Sequence, residues 1–342
     1  MRQGHFGSAK VFLDNKEIPY NTITYNHSGR STASKVIVNI PDPQIQNDKI
    51  FGAKLKVFLN LGANDSVPFF RGTVFLMSPT DKNLTITAFD ALNFLTGENT
   101  TTFNLTDESN FDGMTVTQFL KHYTDTYINV NRTIVGVDLL NETNPVKTLT
   151  GLRGENLKPL QIISKTLRYD DEDMDDIRAV RLTVREDANK TNYCFIKEQR
   201  KTDSGLKFTL SDGIENYKYT KVRTPNTVVG IVNDNTYVYK HNSLSTDTSS
   251  VQIKGNYDYP DAFKKEAIEL IKYLENKKEM SIGVNKGYYL SIGNVISLKI
   301  KDDVNNIEDK FKIVSKKLSI SKTSVKCTLG LDKTAPMITD YL

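Results

Sequence analysis

The sequence predicts a mainly β protein in which two tube-like β-barrel domains flank a small α+β domain. Three observations support this fold class. Apolar and polar residues alternate in short runs near both ends, helical periodicity is concentrated in the middle, and the two β-rich ends match each other at a constant offset. We place the first barrel at 1–112, the α+β domain at 113–213 and the second barrel at 214–342.

The first barrel is predicted from runs with a period of two, which is typical of half-buried strands. Such runs occupy residues 35–40, 54–61 and 83–88. In the clearest of them, the apolar residues Leu55 and Val57 alternate with lysines. Segments rich in Pro, Asp and Ser separate the runs and predict turns.

The middle domain is predicted from helix signals followed by a hairpin. Thr115 and Gln118 have the spacing of a capping box, and apolar residues at helical spacing follow them. Pro159 suits the first position of a second helix. A turn at 187–190 then separates two alternating runs, which predicts a β-hairpin.

The second barrel is predicted from strands that return at about residue 214 and continue through residue 331. Val229 and Ile231 are one example of an alternating pair. One long helix, at about 260–279, interrupts these strands, and Pro260 can open it.

An internal repeat relates the two β-rich ends, because residues 241 positions apart match in type. The match crosses three strands without a gap and aligns Ser78 with Ser319 as turn residues. Two unrelated alternating stretches can also be aligned by sliding, so duplication depends on the preserved spacing. The matched pairs are Gly52 with Gly293, Leu55 with Ile296, Val57 with Leu298, Phe70 with Phe311, Leu84 with Val325, Ile86 with Cys327, and Ala88 with Leu329.

Composition bounds the function. The formal net charge of +4 is too small to indicate a nucleic-acid partner, and the lysines that cluster at 264–278 alternate with glutamates, as on a solvated helix face. The two cysteines, Cys194 and Cys327, lie within alternating apolar runs and are expected to be core residues. The N-terminus does not have the pattern of a signal peptide, and no run is apolar enough to span a bilayer, so we expect folding in a cytoplasm.

The sequence contains no recognisable catalytic or metal-binding motif, so we predict no catalytic, cofactor-binding or metal-ligating residues and no enzymatic activity. The four histidines lack metal-ligand spacing, and His122 is expected on the polar face of its helix. The acidic segment 170–176 fails as an EF-hand, because Asp176 stands where glycine is needed and Leu182 where glutamate is needed. A solvated loop is the expected reading of this segment, with a different kind of cation loop left open.

The order of these elements resembles the baseplate hub proteins of contractile phage tails, a family that includes the late-control D proteins and relatives in phage-like bacteriocins. In the first barrel the resemblance lies in the segments 52–57, 70–74 and 84–90, the last with Ala88 and Asp90 two residues apart. In the second barrel it lies in the helix from Pro260 and in the segments 293–298, 311–314 and 325–329.

The resemblance implies a structural protein of the virion tail or baseplate. Hubs of this family are trimers that connect a hexameric tail tube to a central spike or tail tip, with other baseplate proteins around them. The two barrels of each subunit then let three chains present six similar units. DNA passes such a lumen transiently at most. Two alternatives stay open: a distal-tail or adhesion module of a non-contractile tail, and a cell-wall hydrolase domain.

Overall fold

The computed structural model is mainly β, as the sequence predicted. It divides into two compact units, residues 1–200 with 315–327 and residues 201–314 with 328–342, so the limits of the units fall inside two strands near the C-terminus. The predicted domain limits after residues 112 and 213 stay a prediction. The structure describes residues 9–28, 33–41, 50–59, 67–98, 100–105, 111–129, 137–140, 148–150, 154–168, 180–197, 203–211, 213–221, 226–240, 250–257, 259–276, 278–284, 287–303 and 305–332.

The first unit begins with an antiparallel sheet built from seven strands. The strands are β1 (Ala9–Leu13), β2 (Lys16–Ile18), β3 (Thr22–Ser28), β4 (Lys35–Pro41), β5 (Lys54–Leu59), β6 (Phe70–Pro79) and β7 (Asn83–Phe89). Their order is β2–β1–β5–β6–β7–β4–β3. The three runs predicted as strands are β4, β5 and β7, although the end of the predicted run 54–61 lies outside the described residues.

Alternation decides which residues form the core of this sheet. Val36 and Val38 of β4 and Ile86 of β7 are fully buried, while Ile37 and Thr87 between them stay partly exposed. The predicted inner face of the sheet is therefore confirmed, and it follows directly from the period-two geometry of a strand.

A layer of helices and short strands completes the first unit. Its elements are α1 (Asn93–Thr96), β8 (Phe103–Leu105), α2 (Val116–Tyr123) with a π-helical turn at Thr124–Ile128, β9 (Val137–Leu140), β10 (Gly154–Leu157), α3 (Pro159–Arg168), β11 (Val180–Glu186) and β12 (Thr191–Lys197). β8 pairs with β10, and β12 lies antiparallel to β11 and parallel to β9.

The predicted starts of α2 and α3 are confirmed. The Thr115 hydroxyl accepts a hydrogen bond from the Gln118 backbone, and the Gln118 side chain accepts one from the Thr115 backbone, which is a complete capping box. α3 begins at Pro159. One core joins these elements and includes Leu95, which precedes residue 113, together with Phe119 and Tyr193.

The second unit contains the remaining strands and the longest helix. The elements are β13 (Asp203–Thr209), β14 (Ile214–Lys221), β15 (Thr227–Val232), β16 (Asn235–Lys240), β17 (Ser250–Tyr257), α4 (Pro260–Asn276), β18 (Lys278–Val284), β19 (Val295–Lys301), β20 (Asn306–Ser321) and β21 (Val325–Asp332). β20 continues into the first unit, where Ser315–Ser321 pairs with β3.

One expectation for this unit needs correction. α4 ends at Asn276 rather than near 279, because Lys278 already belongs to β18, which pairs with β14. The alternating pair Val229 and Ile231 lies in β15, on the face opposite the buried residues Val228 and Val232. Val228 and Val232 are buried because they form one core cluster with the apolar residues of α4.

Candidate functional site

A tight turn at residues 50–53 leads the chain into β5. Gly52 has a φ of +79°, and the Ala53 N–H donates to the Ile50 carbonyl at 3.0 Å. The turn also contacts β6 twice: the Gly52 N–H donates to the Val74 carbonyl and the Val74 N–H donates to the Ala53 carbonyl, each at 3.0 Å. Glycine adopts a left-handed φ at little cost, so Gly52 fixes the point at which β5 begins.

A turn with the same hydrogen bonds leads into β19. Gly293 has a φ of +93°, and the Asn294 N–H donates to the Ser291 carbonyl at 3.1 Å. The Gly293 N–H donates to the Ile313 carbonyl and the Ile313 N–H donates to the Asn294 carbonyl, each at 2.9 Å. The two glycines matched in the sequence therefore form equivalent turns and make equivalent contacts with the next strand.

The tips of the following hairpins are also equivalent. The Thr80 hydroxyl accepts from the Asn83 N–H, and the Ser321 hydroxyl accepts from the Ser324 N–H, each at 3.1 Å. Both pairs of residues are related by the predicted offset. The assignment of the turns to Ser78 and Ser319 was wrong, because those residues still lie in β6 and β20.

The middle strand of the repeat is shifted by two residues, so the predicted match without a gap is wrong. Phe70 lies opposite Val57, whereas Phe311 lies opposite Ile296, which is the counterpart of Leu55. Side chains alternate with a period of two, so a two-residue shift leaves the same face buried. Both phenylalanines are accordingly in the core.

The shift arises because β20 is longer than β6 between the contact with the glycine turn and the tip of the hairpin. The interval runs from Val74 to Thr80 in the first copy and from Ile313 to Ser321, two residues longer, in the second copy. The longer interval contains Lys316, which is 8% exposed and whose Nζ lies 5.8 Å from the centre of the Phe69 ring. Burial lowers the pKa of this amine to about 8. The sequence did not predict the burial of Lys316. In β20 the buried residues change from odd to even positions just before Lys316, and a lysine at such a point has no distinctive sequence pattern.

The remaining matched positions lie in the core of both copies, with one exception. Val325 is only partly buried, whereas its counterpart Leu84 is fully buried. The buried members are Leu55, Val57, Ile86, Ala88, Ile296, Leu298, Cys327 and Leu329.

In the first unit, a buried arginine links β6 to the β11–β12 hairpin. The Arg71 guanidinium lies 3.2 Å from the Glu186 carboxylate and donates to the backbone carbonyls of Asp187 and Ala188 at the same distance. Burial raises the pKa of Glu186 to about 7, against the opposing effects of the Thr191 hydroxyl and Arg71. An arginine fork suits this task because it can reach several acceptors in one plane.

Asp90, singled out by the resemblance, organises the chain where β7 ends. Its carboxylate accepts hydrogen bonds from the Ser34 N–H at 2.9 Å and the Leu92 N–H at 3.0 Å. Burial raises its pKa to about 6. Nearby, the Tyr193 hydroxyl donates to the Ala91 carbonyl at 2.6 Å. This pattern of Asp90 contacts is that of a structural carboxylate that turns the chain from strand to helix.

The other residues considered in the sequence analysis, where the structure describes them, lie in the core or on the exposed surface. Cys194 and Cys327 are buried, as expected of core residues, and His122 is exposed on α2. Lys264 and Lys265 are exposed on α4. The acidic segment 170–176 lies outside the described residues. In the part of the chain that the structure describes, no group of three His, Cys, Asp or Glu side chains could hold a metal ion, and no helix could span a membrane.

Comparison with solved structures gives matches over almost the entire chain. A tail protein from Neisseria meningitidis MC58 aligns with a TM-score of 0.67 and 14% identity, covering 98% of this chain and 99% of its own. The 43 kDa tail protein of prophage MuSo2 from Shewanella oneidensis aligns with a TM-score of 0.64 and 13% identity, covering 97% and 100%.

The chain has the fold of these tail proteins. The Escherichia coli c3393 protein, a component of the type VI secretion system, shares the fold with a TM-score of 0.57 and 12% identity, over 95% of this chain and 77% of its own. No protein-family model and no curated protein sequence matches the chain. At these identities the likeness is one of fold.

Proposed function

We propose that three copies of this chain form the hub of a phage tail or phage-derived contractile particle, connecting the hexameric tail tube to the central spike or tail tip. One observation carries the proposal: the chain contains two copies of a strand motif with equivalent glycine turns and hairpin tips. Three chains with two such units each offer six similar contacts to a sixfold ring.

The comparisons support the same proposal. The matched solved structures include proteins named as phage and prophage tail proteins and a component of a type VI secretion system. Their alignment with at least 95% of this chain includes both copies of the repeat. The partners we propose are the tail tube protein, a spike or tip protein and other baseplate proteins, in a virion tail assembled in the host cytoplasm.

The proposed role is structural rather than catalytic. The buried carboxylates Asp90 and Glu186 have raised pKa values, which is a common sign of an active site. Their partners, however, are backbone N–H groups, a threonine hydroxyl and an arginine that holds a hairpin turn. These contacts explain both carboxylates as parts of the fold.

Light scattering of the purified protein tests the proposal. A chain of 38.6 kDa should give a trimer of about 116 kDa alone, or, after spike protein is added, a complex whose mass is about 116 kDa plus that of the spike. A monomer that binds neither tube nor spike protein would contradict the hub. Zymography on peptidoglycan should show no clear zone, and a zone abolished by replacing one carboxylate would favour the hydrolase alternative.

A further inference from the structure

Five lysines lie on one face of the three-stranded arrangement β13–β19–β20 in the second unit. In the strand register, Lys207 lies opposite Ser297, which lies opposite Lys310. Residues directly opposite each other in a sheet share a face, and so do residues two apart along a strand. The same face therefore carries the lysines of β13, β19 and β20, which we call the lysine face: Lys207, Lys299, Lys301, Lys310 and Lys312.

The lysine face is exposed and strongly positive. All five residues are exposed except Lys312, which is partly exposed. The register places two acidic residues on this face: Glu308, whose carboxylate lies 3.1 Å from the Lys299 amine, and Asp203, which is opposite Val295. Five lysines and two acidic residues leave a formal charge of three positive units on the face.

Other acidic residues lie near this face without sharing it. Asp309 alternates with Glu308 and so points to the opposite side of β20. Asp302 and Asp303 follow β19 in the turn at one end of the face. The Asp302 carboxylate is engaged by the Tyr217 hydroxyl and by the Asn305 backbone N–H. The positive charge is therefore concentrated on the sheet surface itself.

The residues between the lysines indicate the kind of partner. Thr209, Ser297 and Asn306 share the face, and Val295 at one end is partly buried. Stable protein interfaces have an apolar, often aromatic centre, which this set does not provide. Lysine is a hydrated point charge that suits phosphate contacts without geometric selection. The face thus fits a phosphate polymer better than it fits a folded protein.

The spacing of the cations suits a nucleic-acid backbone. Residues two apart along a strand are separated by about 7 Å, and neighbouring strands by about 5 Å. Duplex DNA carries about one charge per 1.7 Å along its axis. Lysines at these spacings can therefore contact phosphates at any position of the duplex along the sheet. We infer that the lysine face binds duplex DNA through its phosphates, without sequence preference.

This inference goes beyond the proposed hub and does not depend on it. The sequence had indicated no nucleic-acid partner, because the lysines are spread over three separate segments and only the sheet brings them together. In a particle that carries a genome, such a face would give the chain a weak and salt-sensitive hold on DNA.

Fluorescence anisotropy with a labelled duplex of about 30 base pairs tests the inference, with the full chain at 50 to 200 mM salt. Contacts by five lysines predict that log Kobs falls with log salt with a slope of about −4.5. The double variant Lys301→Gln and Lys310→Gln should weaken binding at least tenfold and reduce the size of the slope by about two. Glu308→Gln should strengthen binding, because it removes a negative charge from the face.

The matched control is Lys264→Gln with Lys265→Gln, which removes the same charge from the exposed surface of α4. It should leave the salt slope unchanged. The inference is overturned if both double variants lose affinity equally, since net charge alone would then explain binding. It is also overturned if the wild-type chain shows no binding at 50 mM salt, or if polyglutamate of equal charge displaces the DNA at a lower concentration than unlabelled duplex does. Circular dichroism of every variant verifies that the fold is retained.

Discussion

Replacing Arg71 with alanine should release the β11–β12 hairpin from β6, and the effect should depend on pH. Arg71 is 3% exposed, and the Glu186 side chain in contact with it is 12% exposed. The change removes the only cation within ion-pair distance of this carboxylate among the described residues. It also removes the donor to the carbonyls of Asp187 and Ala188.

The magnitude follows from burial and from the pKa of the carboxyl. Removing one partner of a buried ion pair costs about 3–5 kcal/mol, because the other charge stays buried without compensation. Glu186 can avoid this cost by taking up a proton. With arginine present its pKa is about 7, and without arginine it should be higher. Between these two values, the destabilisation of the variant relative to wild type should grow by about 1.4 kcal/mol per pH unit.

A urea titration at pH 6 and at pH 9 measures this growth. Unfolding of the segment 180–197 can be followed by a short hydrogen–deuterium exchange pulse and mass spectrometry, which isolates the hairpin from the second unit. We expect a loss of about 1–2 kcal/mol at pH 6 from the broken hydrogen bonds, and about 3 kcal/mol more at pH 9. Arg185→Ala, on the exposed side of the same hairpin, is the matched control and should change stability by less than about 0.5 kcal/mol.

Equal losses of stability at the two pH values would refute the reasoning, because the free energy of unfolding must depend on pH when a buried carboxylate has no cation beside it. A second variant separates charge from packing. Arg71→Met combined with Glu186→Leu removes both charges and fills similar volume, so it should recover most of the stability lost at pH 9. Failure of this recovery would mean that the hydrogen bonds to the turn carbonyls dominate instead.

Two further predictions concern the first unit. The pKa values of Asp90 and Glu186 are raised to about 6 and about 7, so the stability that their protonated forms contribute is present at acidic pH and is lost as pH rises through those values. The wild-type unit should therefore withstand more urea at pH 5 than at pH 8, by about 1.4 kcal/mol from Asp90 and about 2.7 kcal/mol from Glu186, and the opposite trend would contradict the burial of these carboxyls. Gly72→Ala would place a Cβ 2.4 Å from the Phe89 carbonyl oxygen and should cost about 3 kcal/mol or more in thermal unfolding. Gly52→Ala meets no atom within 4 Å and should cost only about 1–2 kcal/mol of backbone strain, so equal losses for the two variants would show that the close β6–β7 approach is wrong.

Much of the fold could be predicted because it depends on local signals. The period-two runs gave β4, β5 and β7, and the capping box at Thr115 and Pro159 gave the starts of two helices. The end of α4 could not be predicted, since its last residues and β18 are continuous in composition and only pairing with β14 decides between helix and strand.

The predicted repeat is correct at the two glycine turns. It is wrong for the second strand after each turn, because β20 is shifted by two residues relative to β6. Gly52 and Gly293 need a left-handed backbone, which leaves a trace in the sequence. The two-residue shift of β20 leaves none, because a shift of two keeps every apolar residue on its face. An offset read from apolar residues alone therefore aligns Phe70 with Phe311 although they pair differently.

The long-range polar contacts could not be read from the sequence. Arg71 and Glu186 are separated by 115 positions, and nothing local distinguishes them from surface charges. The lysine face was missed for a related reason, although a signal existed. Lys299 with Lys301 and Lys310 with Lys312 are charged pairs two apart within strands, which places both members of each pair on one face.

The central claim is that each chain supplies two equivalent units to a sixfold tube. Native mass spectrometry of the complex formed with the tail tube protein of the same particle tests it most directly. The measurement gives the number of copies of this chain bound to the first ring of tube subunits. The account predicts three copies of this chain against a ring of six tube subunits. Six copies against six, or a one-to-one complex that never closes into a ring, would contradict it.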